Sequence, residues 1–327
     1  MKLSELYWHR ITPLHLILWP LSVVYGWFLT LKKLCYWLDI CPSVTLPVPV
    51  VILDSISVDD GGKTPLIIWF VEILFKQGYH PGIITRGNAD NPGSPAAVNA
   101  SSDPGIVGAR TVFLAQRCGT ICPVWIGDDR VATAQALLEA HPGCDIIISN
   151  DGLHDYRLNR DFVIVTVDFS EQSIGNGLVI PAGPLRTHPR SLKTIDFITT
   201  SGKNHHQLDT RQWRQTYPVK LINEVAYNVL QPDRRTLISE FKHSKMHIVT
   251  DENNAIRMFD LIQTQKLDAD LHTFPDNHRY ISADLHFPEA EVVLLPEENA
   301  VQCRQFAPQT LWAIPNDIWA DGALHAA

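Results

Sequence analysis

The stretch whose reading decides the fold is VPVVILDSISVDDGGKTP, Val48 to Pro65. VPVVILD is a short apolar run with β-branched residues, the length and character of a buried strand. SVDDGGK follows as a loop. TPLIIWFVEILFKQGY then predicts a helix, with Pro65 near the first turn, where a missing N–H is not needed. A strand, a glycine-bearing loop and Lys-Thr opening a helix are the setting of a phosphate-binding loop. Backbone N–H groups of such a loop and of the helix N-terminus converge on an anion. On this reading Gly61 and Gly62 lie against phosphates, Lys63 neutralises the β and γ oxygens, and the Thr64 hydroxyl holds Mg²⁺. The motif is imperfect, because Ser57 stands where the full pattern has its first glycine.

Working outward, apolar runs alternate with helical patterns. PGIITRG, CPVWIG, CDIIISND and FVIVTVD read as strands, and TVFLAQRC and ATAQALLEAH as helices. Such alternation implies parallel βαβ units in a three-layer α/β domain. The strand CDIIISND ends in Asn150-Asp151, and an apolar strand ending in a carboxylate is the Walker-B arrangement, in which the acid holds Mg²⁺ beside the loop. Parallel topology brings both strand ends to one sheet edge; the competing role for Asp151 is a turn or helix cap. Signals thin out between about Asn204 and Lys245, which reads as connecting structure. A second small α/β unit follows, with strands MHIVTD and AEVVLL. Its helix, NNAIRMFDLIQTQK, sets Ala255, Met258, Phe259 and Ile262 on one face.

The 327 residues allow two modest domains. A net charge of -8 argues against an electrostatic nucleic-acid binder. Six cysteines without a CxxC pair suggest reduced thiols, with Cys118 and Cys122 as buried thiols rather than a metal pair. His205-His206 reads as a solvated loop. Ile11 to Leu31 carries no charged residue and has about the length needed to span a bilayer. Trp19, Tyr25, Trp27, Tyr36 and Trp37 are interfacial aromatics. Pro13, Pro20 and His15 weaken the spanning reading. A membrane-associated helix, spanning or interfacial, competes with a buried core helix.

Taken together the boxes resemble the tetraacyldisaccharide 4'-kinases, the lipid A 4'-kinases of Gram-negative bacteria. The resemblance covers nearly the whole chain. It rests on PLS (Pro20 to Ser22), GKTP (Gly62 to Pro65), TRG (Thr85 to Gly87), VG (Val107-Gly108) and DRVA (Asp129 to Ala132). NDGLHDYRLNRD (Asn150 to Asp161), FPDNH (Phe274 to His278) and ENAVQC (Glu298 to Cys303) add to it, and GNGLVIPAGPLR (Gly175 to Arg186) is the most specific block. The resemblance implies a P-loop NTPase-like α/β core over residues 41–240. It also implies a membrane-associated N-terminal helix over 1–40 and a smaller C-terminal α/β domain over 241–327. It implies transfer of the γ-phosphoryl of MgATP to the 4'-hydroxyl of a tetraacylated glucosamine disaccharide 1-phosphate, on the cytoplasmic face of the bacterial inner membrane. No nucleic-acid partner is expected, and the sequence leaves the oligomeric state open. ATP and Mg²⁺ are the expected cofactors. Lys63, Arg186 and His278 are the expected catalytic residues, with Thr64 and Asp151 on the metal.

Several positions depart from the family pattern. GGTGKT reads Asp59-Asp60-Gly61-Gly62-Lys63-Thr64 here. A carboxylate about 5 Å from a phosphate charge costs ~3 kcal/mol at an effective dielectric near 20. That is about a hundredfold in affinity for each such pair. The family's VGDE, whose acid activates the sugar hydroxyl, reads Val107-Gly108-Ala109-Arg110. Its Asp-Asp pair is Asn150-Asp151, GLQH is Gly152-Leu153-His154-Asp155, PDHH is Pro275-Asp276-Asn277-His278, and TEKDA is Pro296-Glu297-Glu298-Asn299-Ala300. Asp103, Asp128 and Asp155 are the acids considered as substitutes at Ala109. The alternative expectation is a catalytically impaired or inactive paralogue acting as a lipid-binding or regulatory membrane protein.

Overall fold

Helix α1 (His15–Trp37) leads into strand β1 (Val50–Ser55), whose six residues are all buried, as a strand covered on both faces requires. The structure is a computed structural model, and it describes residues 8, 11–58, 62–86, 94–202, 204, 208, 210–222, 224–276 and 278–320. Asp59, Asp60, Gly61, Gly87, His205, His206 and Asn277, each singled out above, lie outside the described residues.

After β1 come α2 (Lys63–Lys76), β2 (Pro81–Thr85), β3 (Ala96–Val98), α3 (Pro104–Val107), α4 (Ala109–Cys118) and β4 (Val124–Ile126). The core continues with α5 (Arg130–Ala140), β5 (Ile146–Asn150), β6 (Phe162–Asp168), α6 (Glu171–Ile174), β7 (Phe197–Ser201) and β8 (Gln215–Ile222). The second unit holds β9 (Val225–Asn228), β10 (Arg235–Leu237), β11 (Met246–Asp251), α7 (Glu252–Gln265), β12 (Ala269–Phe274), β13 (Val292–Pro296), α8 (Glu297–Cys303) and β14 (Leu311–Ile314), and β15 (Asp317–Ala320) follows.

The larger sheet has the order β15-β8-β7-β6-β1-β5-β2-β4-β3. It is parallel from β8 to β4, with antiparallel strands only at its two edges. On one face α2 and α4 bury Leu66, Ile67, Val71, Val112 and Phe113. On the other, Val131, Ala134 and Leu137 of α5 pack on Ile52, Ile84 and Ile147. These are the three layers expected from the sequence.

The smaller sheet runs β10-β9-β14-β13-β11-β12 and is parallel from β14 to β12. The segment read as connecting structure contains β8, β9 and β10. Its residues alternate between exposed and half-buried along β8, so no apolar run marks them. The expected boundary at residue 240 therefore falls after two strands of the second sheet, and β15 returns to the first. In α7 the buried apolar side chains among the described residues are Met258 and Leu261, with Ile262 packed against them. Phe259 is exposed, correcting the face assigned from periodicity.

Helix α1 runs on to Trp37 and buries only His15 and Ser22. Among the described residues no helix is long and apolar enough to cross a membrane.

Candidate active site

β1 and β5 are parallel neighbours in a register that pairs Leu53 with Asn150. Their carboxyl ends thus set Asp54 beside Asp151 at one sheet edge. Gly62 caps α2 at φ 79°, a left-handed conformation that a side chain would strain. This turn sends the chain straight into the helix, so Lys63 and Thr64 occupy its first turn, where the helix N-terminus favours negative charge. Both are buried.

Lys63 Nζ donates to Asp151 Oδ1. Arg186 Nη1 donates to the same oxygen and to Asp54 Oδ1, at 3.1 Å each. The Arg186 end of the GNGLVIPAGPLR block is fixed by the exit of β1: Arg186 N donates to Ile56 O at 2.7 Å, and Val58 N to Pro184 O at 2.9 Å. Burial raises the Asp151 pKa, but the charges of Lys63 and Arg186 outweigh it and hold the carboxyl well below the usual range. Burial, and then the Asp151 charge, push Asp54 the other way. Asp151 itself has φ 63°. Its carbonyl accepts from Ser149 Oγ at 2.8 Å and Arg130 Nε at 3.3 Å, and its N–H donates to Leu53 O at 2.9 Å. Beyond this turn Arg160 ties the loop, with Nη1 donating to Leu153 O and Nη2 to Asp155 O, both at 2.8 Å.

Other residues of the sequence reading have partners of their own. His278 pairs with Asp284 at 2.8 Å and stacks on Phe274, within the second unit. Its neighbour Arg279 donates to Gly105 O at 3.2 Å, so this segment lies against α3, just before Ala109. Of the acids considered at Ala109, Asp103 caps α3 by accepting from Gly105 N at 2.8 Å. Asp128 faces Arg86 at 3.5 Å, and Asp155 faces Arg130 at 3.3 Å. The Asn150 amide donates to Thr85 Oγ1 at 3.2 Å. All six cysteines are free, and Cys118 and Cys122 are buried thiols.

Two nearby residues escaped the sequence reading. Asp54 is one; its only signal was an acid closing the apolar run VVILD. His154 is the other. Its ring nitrogens are buried without a hydrogen bond. Burial, followed by the charges of Lys32, Arg186 and Arg160, lowers its pKa to about 4.

Among the described residues no three His, Cys, Asp or Glu side chains could hold a metal by themselves. Magnesium, however, binds through one or two carboxylates together with phosphate oxygens and water. The Thr64 hydroxyl and the ionised Asp151 carboxylate, beside a buried lysine at a helix N-terminus, fit that donor set.

The description of one family, the tetraacyldisaccharide-1-P 4'-kinases (LpxK), matches residues 14–327. The chain is 38% identical over 321 residues to a tetraacyldisaccharide 4'-kinase of Nitrosomonas eutropha, covering 98% of this chain and 81% of that protein. It is 38% identical over 315 residues to one of Azoarcus sp., with 96% and 91% covered. A third, from Actinobacillus succinogenes, is 32% identical, with 98% and 95% covered. The crystal structure of LpxK from Aquifex aeolicus in complex with ATP superposes with a TM-score of 0.77 at 16% identity, covering 94% of this chain and 96% of that one. At that identity the likeness speaks for the fold.

Proposed function

The chain belongs to the tetraacyldisaccharide-1-P 4'-kinase family, and from that premise we propose that it transfers the γ-phosphoryl group of ATP to the 4'-hydroxyl of a tetraacylated glucosamine disaccharide 1-phosphate, a step of lipid A synthesis. The observation that carries the reading is the meeting of Lys63 and Arg186 on Asp151 at the N-terminus of α2. Phosphoryl transfer asks little covalent chemistry of a protein; it is mostly positioning and charge neutralisation. Lys63 is placed to pair with phosphate oxygens once it leaves Asp151, and the α2 amides add positive potential there. Thr64 and Asp151 would hold Mg²⁺, which would supply charge neutralisation at the phosphates. Arg186, at the carboxylate edge, is a second cation for charge that builds on the transferred group.

The same proposal puts the protein at the cytoplasmic face of the inner membrane. Ile17, Val24, Trp27, Phe28 and Leu31 recur at helical spacing along α1, each more than half exposed. The inner side of α1 adjoins the site: Tyr25 lies within the field of Arg186, and His154 within that of Lys32. A helix lying in the interface would hold an acylated sugar next to Arg186.

The test is transfer of radiolabelled γ-phosphate to the purified lipid acceptor in detergent. Native protein should yield labelled disaccharide, and Lys63→Ala should lose at least about a hundredfold in rate while staying folded. Absence of product from native protein at stoichiometric enzyme would sink the reading, as would full activity in Lys63→Ala.

A further inference from the structure

We propose that Asp54 is a positioning residue for the phosphoryl-transfer centre: it fixes the turn that presents Asp151 and shares Arg186 with it. The proposal rests on the kinase reading above. Asp54 sits on β1, 3% exposed, with every side of its carboxylate engaged. Oδ2 accepts from Gly152 N at 3.0 Å and Leu153 N at 2.8 Å. Oδ1 accepts from Ser55 N at 2.7 Å and from Arg186 Nη1 at 3.1 Å.

The two amides on Oδ2 follow Asp151 directly. Asp151 is left-handed at φ 63°, and Gly152 has φ 126°. A non-glycine residue keeps such a conformation only where its surroundings hold it. Asp54 supplies two of the bonds that do so, from the neighbouring strand. The shared Arg186 nitrogen then couples the two carboxylates, so the guanidinium direction depends on both. Position 150 carries an amide that donates to Thr85, and the second carboxylate of the site comes from β1 instead. Asp54 is saturated by these four donors, so its action on a nucleotide or cation runs through Asp151 and Arg186.

Asp54→Asn is the probe. It keeps the shape, but its NH₂ must oppose either the two backbone N–H groups or Arg186. Two measurements decide. In the ligand-free protein, hydrogen exchange at Gly152 and Leu153 should speed up in Asp54→Asn, with β5 unchanged. Magnesium should strengthen ATP binding by native protein, and that gain should shrink by about 10–100-fold in the variant, the usual effect of losing an outer partner of a metal ligand. A residue that only supports the fold would lower the melting temperature and leave the magnesium gain intact.

A magnesium gain within twofold of native overturns the proposal, and so does unchanged exchange at Gly152 and Leu153. If Asp54→Asn does not fold, Arg186→Ala decides: Gly152 and Leu153 should stay protected there, because Asp54 still holds them, and their exposure overturns it. A native protein whose ATP affinity ignores magnesium sinks the kinase reading and this role with it. A native magnesium effect that Asp54→Asn retains sinks this role alone.

Discussion

Asp59 and Asp60 put two carboxylates into the loop segment four and three residues before Lys63, the lysine that would meet a nucleotide's phosphates. Charge alone makes a prediction there: Asp59→Gly/Asp60→Gly should tighten ATP binding by about a hundredfold for each carboxylate that stands ~5 Å from a phosphate charge, a repulsion worth ~3 kcal/mol. Nucleotide titration at low and high salt checks it, and equal affinities would show that these carboxylates point away from the phosphates. Lys63, Thr64 and Asp151 could be picked out of the sequence because a strand–loop–helix and a strand-ending acid are local patterns. Asp54 could not, because its partners are 98 and 132 positions away. The state of His154 was equally hidden, as it depends on burial and then on charges brought by Lys32 of α1 and by Arg186 and Arg160. Its pKa, lowered from 6.5 to about 4, fixes a sign. A depressed histidine contributes stability that is present above pH 6.5 and is lost as pH falls toward 4. Native protein should therefore lose roughly 2–3 kcal/mol of unfolding free energy across that interval from this group. His154→Gln should flatten the profile in denaturant titrations at several pH values; an unchanged slope would contradict it.

At the scale of elements, helix α1 shows how the specific GNGLVIPAGPLR block is used. Ser22 Oγ donates to Val179 O at 2.7 Å and accepts from Ala182 N at 3.0 Å. His15 Nε2 and Asn176 Nδ2 both reach Ala182 O, at 3.1 and 2.8 Å. The block thus grips α1 with one end and holds Arg186 with the other. Ser22→Ala removes both of these hydrogen bonds between α1 and the block and should cost about 1–3 kcal/mol. Thermal unfolding should register that loss, and hydrogen exchange should rise across residues 179–186. Periodicity revealed a long apolar helix but not its docking, since the docking is polar and only two of its side chains are buried. The opposite face invites a separate test. Trp27→Glu should weaken flotation with anionic phospholipid vesicles by about tenfold or more, the worth of one buried large apolar side chain. Unchanged flotation would remove this face from the membrane. The missed strands β8, β9 and β10 carry no continuous apolar run: β10 is the edge of its sheet, and β8 and β9 lie next to edge strands.

Across the whole molecule, the two sheets are joined by charge. Arg117 on α4 donates to Glu297 of α8 and to Asp317 of β15, at 2.6 Å each. Glu297 also accepts from Tyr227 Oη at 3.1 Å. Arg110 approaches Glu298 at 3.8 Å. These contacts link positions 180 and 200 residues apart, which is why no local pattern in the sequence announced them. Removing Arg117 leaves Glu297 buried and charged, a loss of about 3–5 kcal/mol when one partner of a buried pair is deleted. The dependence on pH separates this from simple loss of packing. Burial already raises the Glu297 pKa, with Arg117 opposing it. Without the guanidinium the pKa must climb further. A group with a raised pKa stabilises the fold at low pH, and that contribution is lost as pH rises through the folded value. The deficit of Arg117→Ala should therefore be smaller near pH 5 and grow toward pH 8, and Glu297→Gln added to it should restore part of the loss at the higher pH. A deficit that stays constant across that range would mean that packing of the Arg117 stem, rather than its charge, holds the two sheets together.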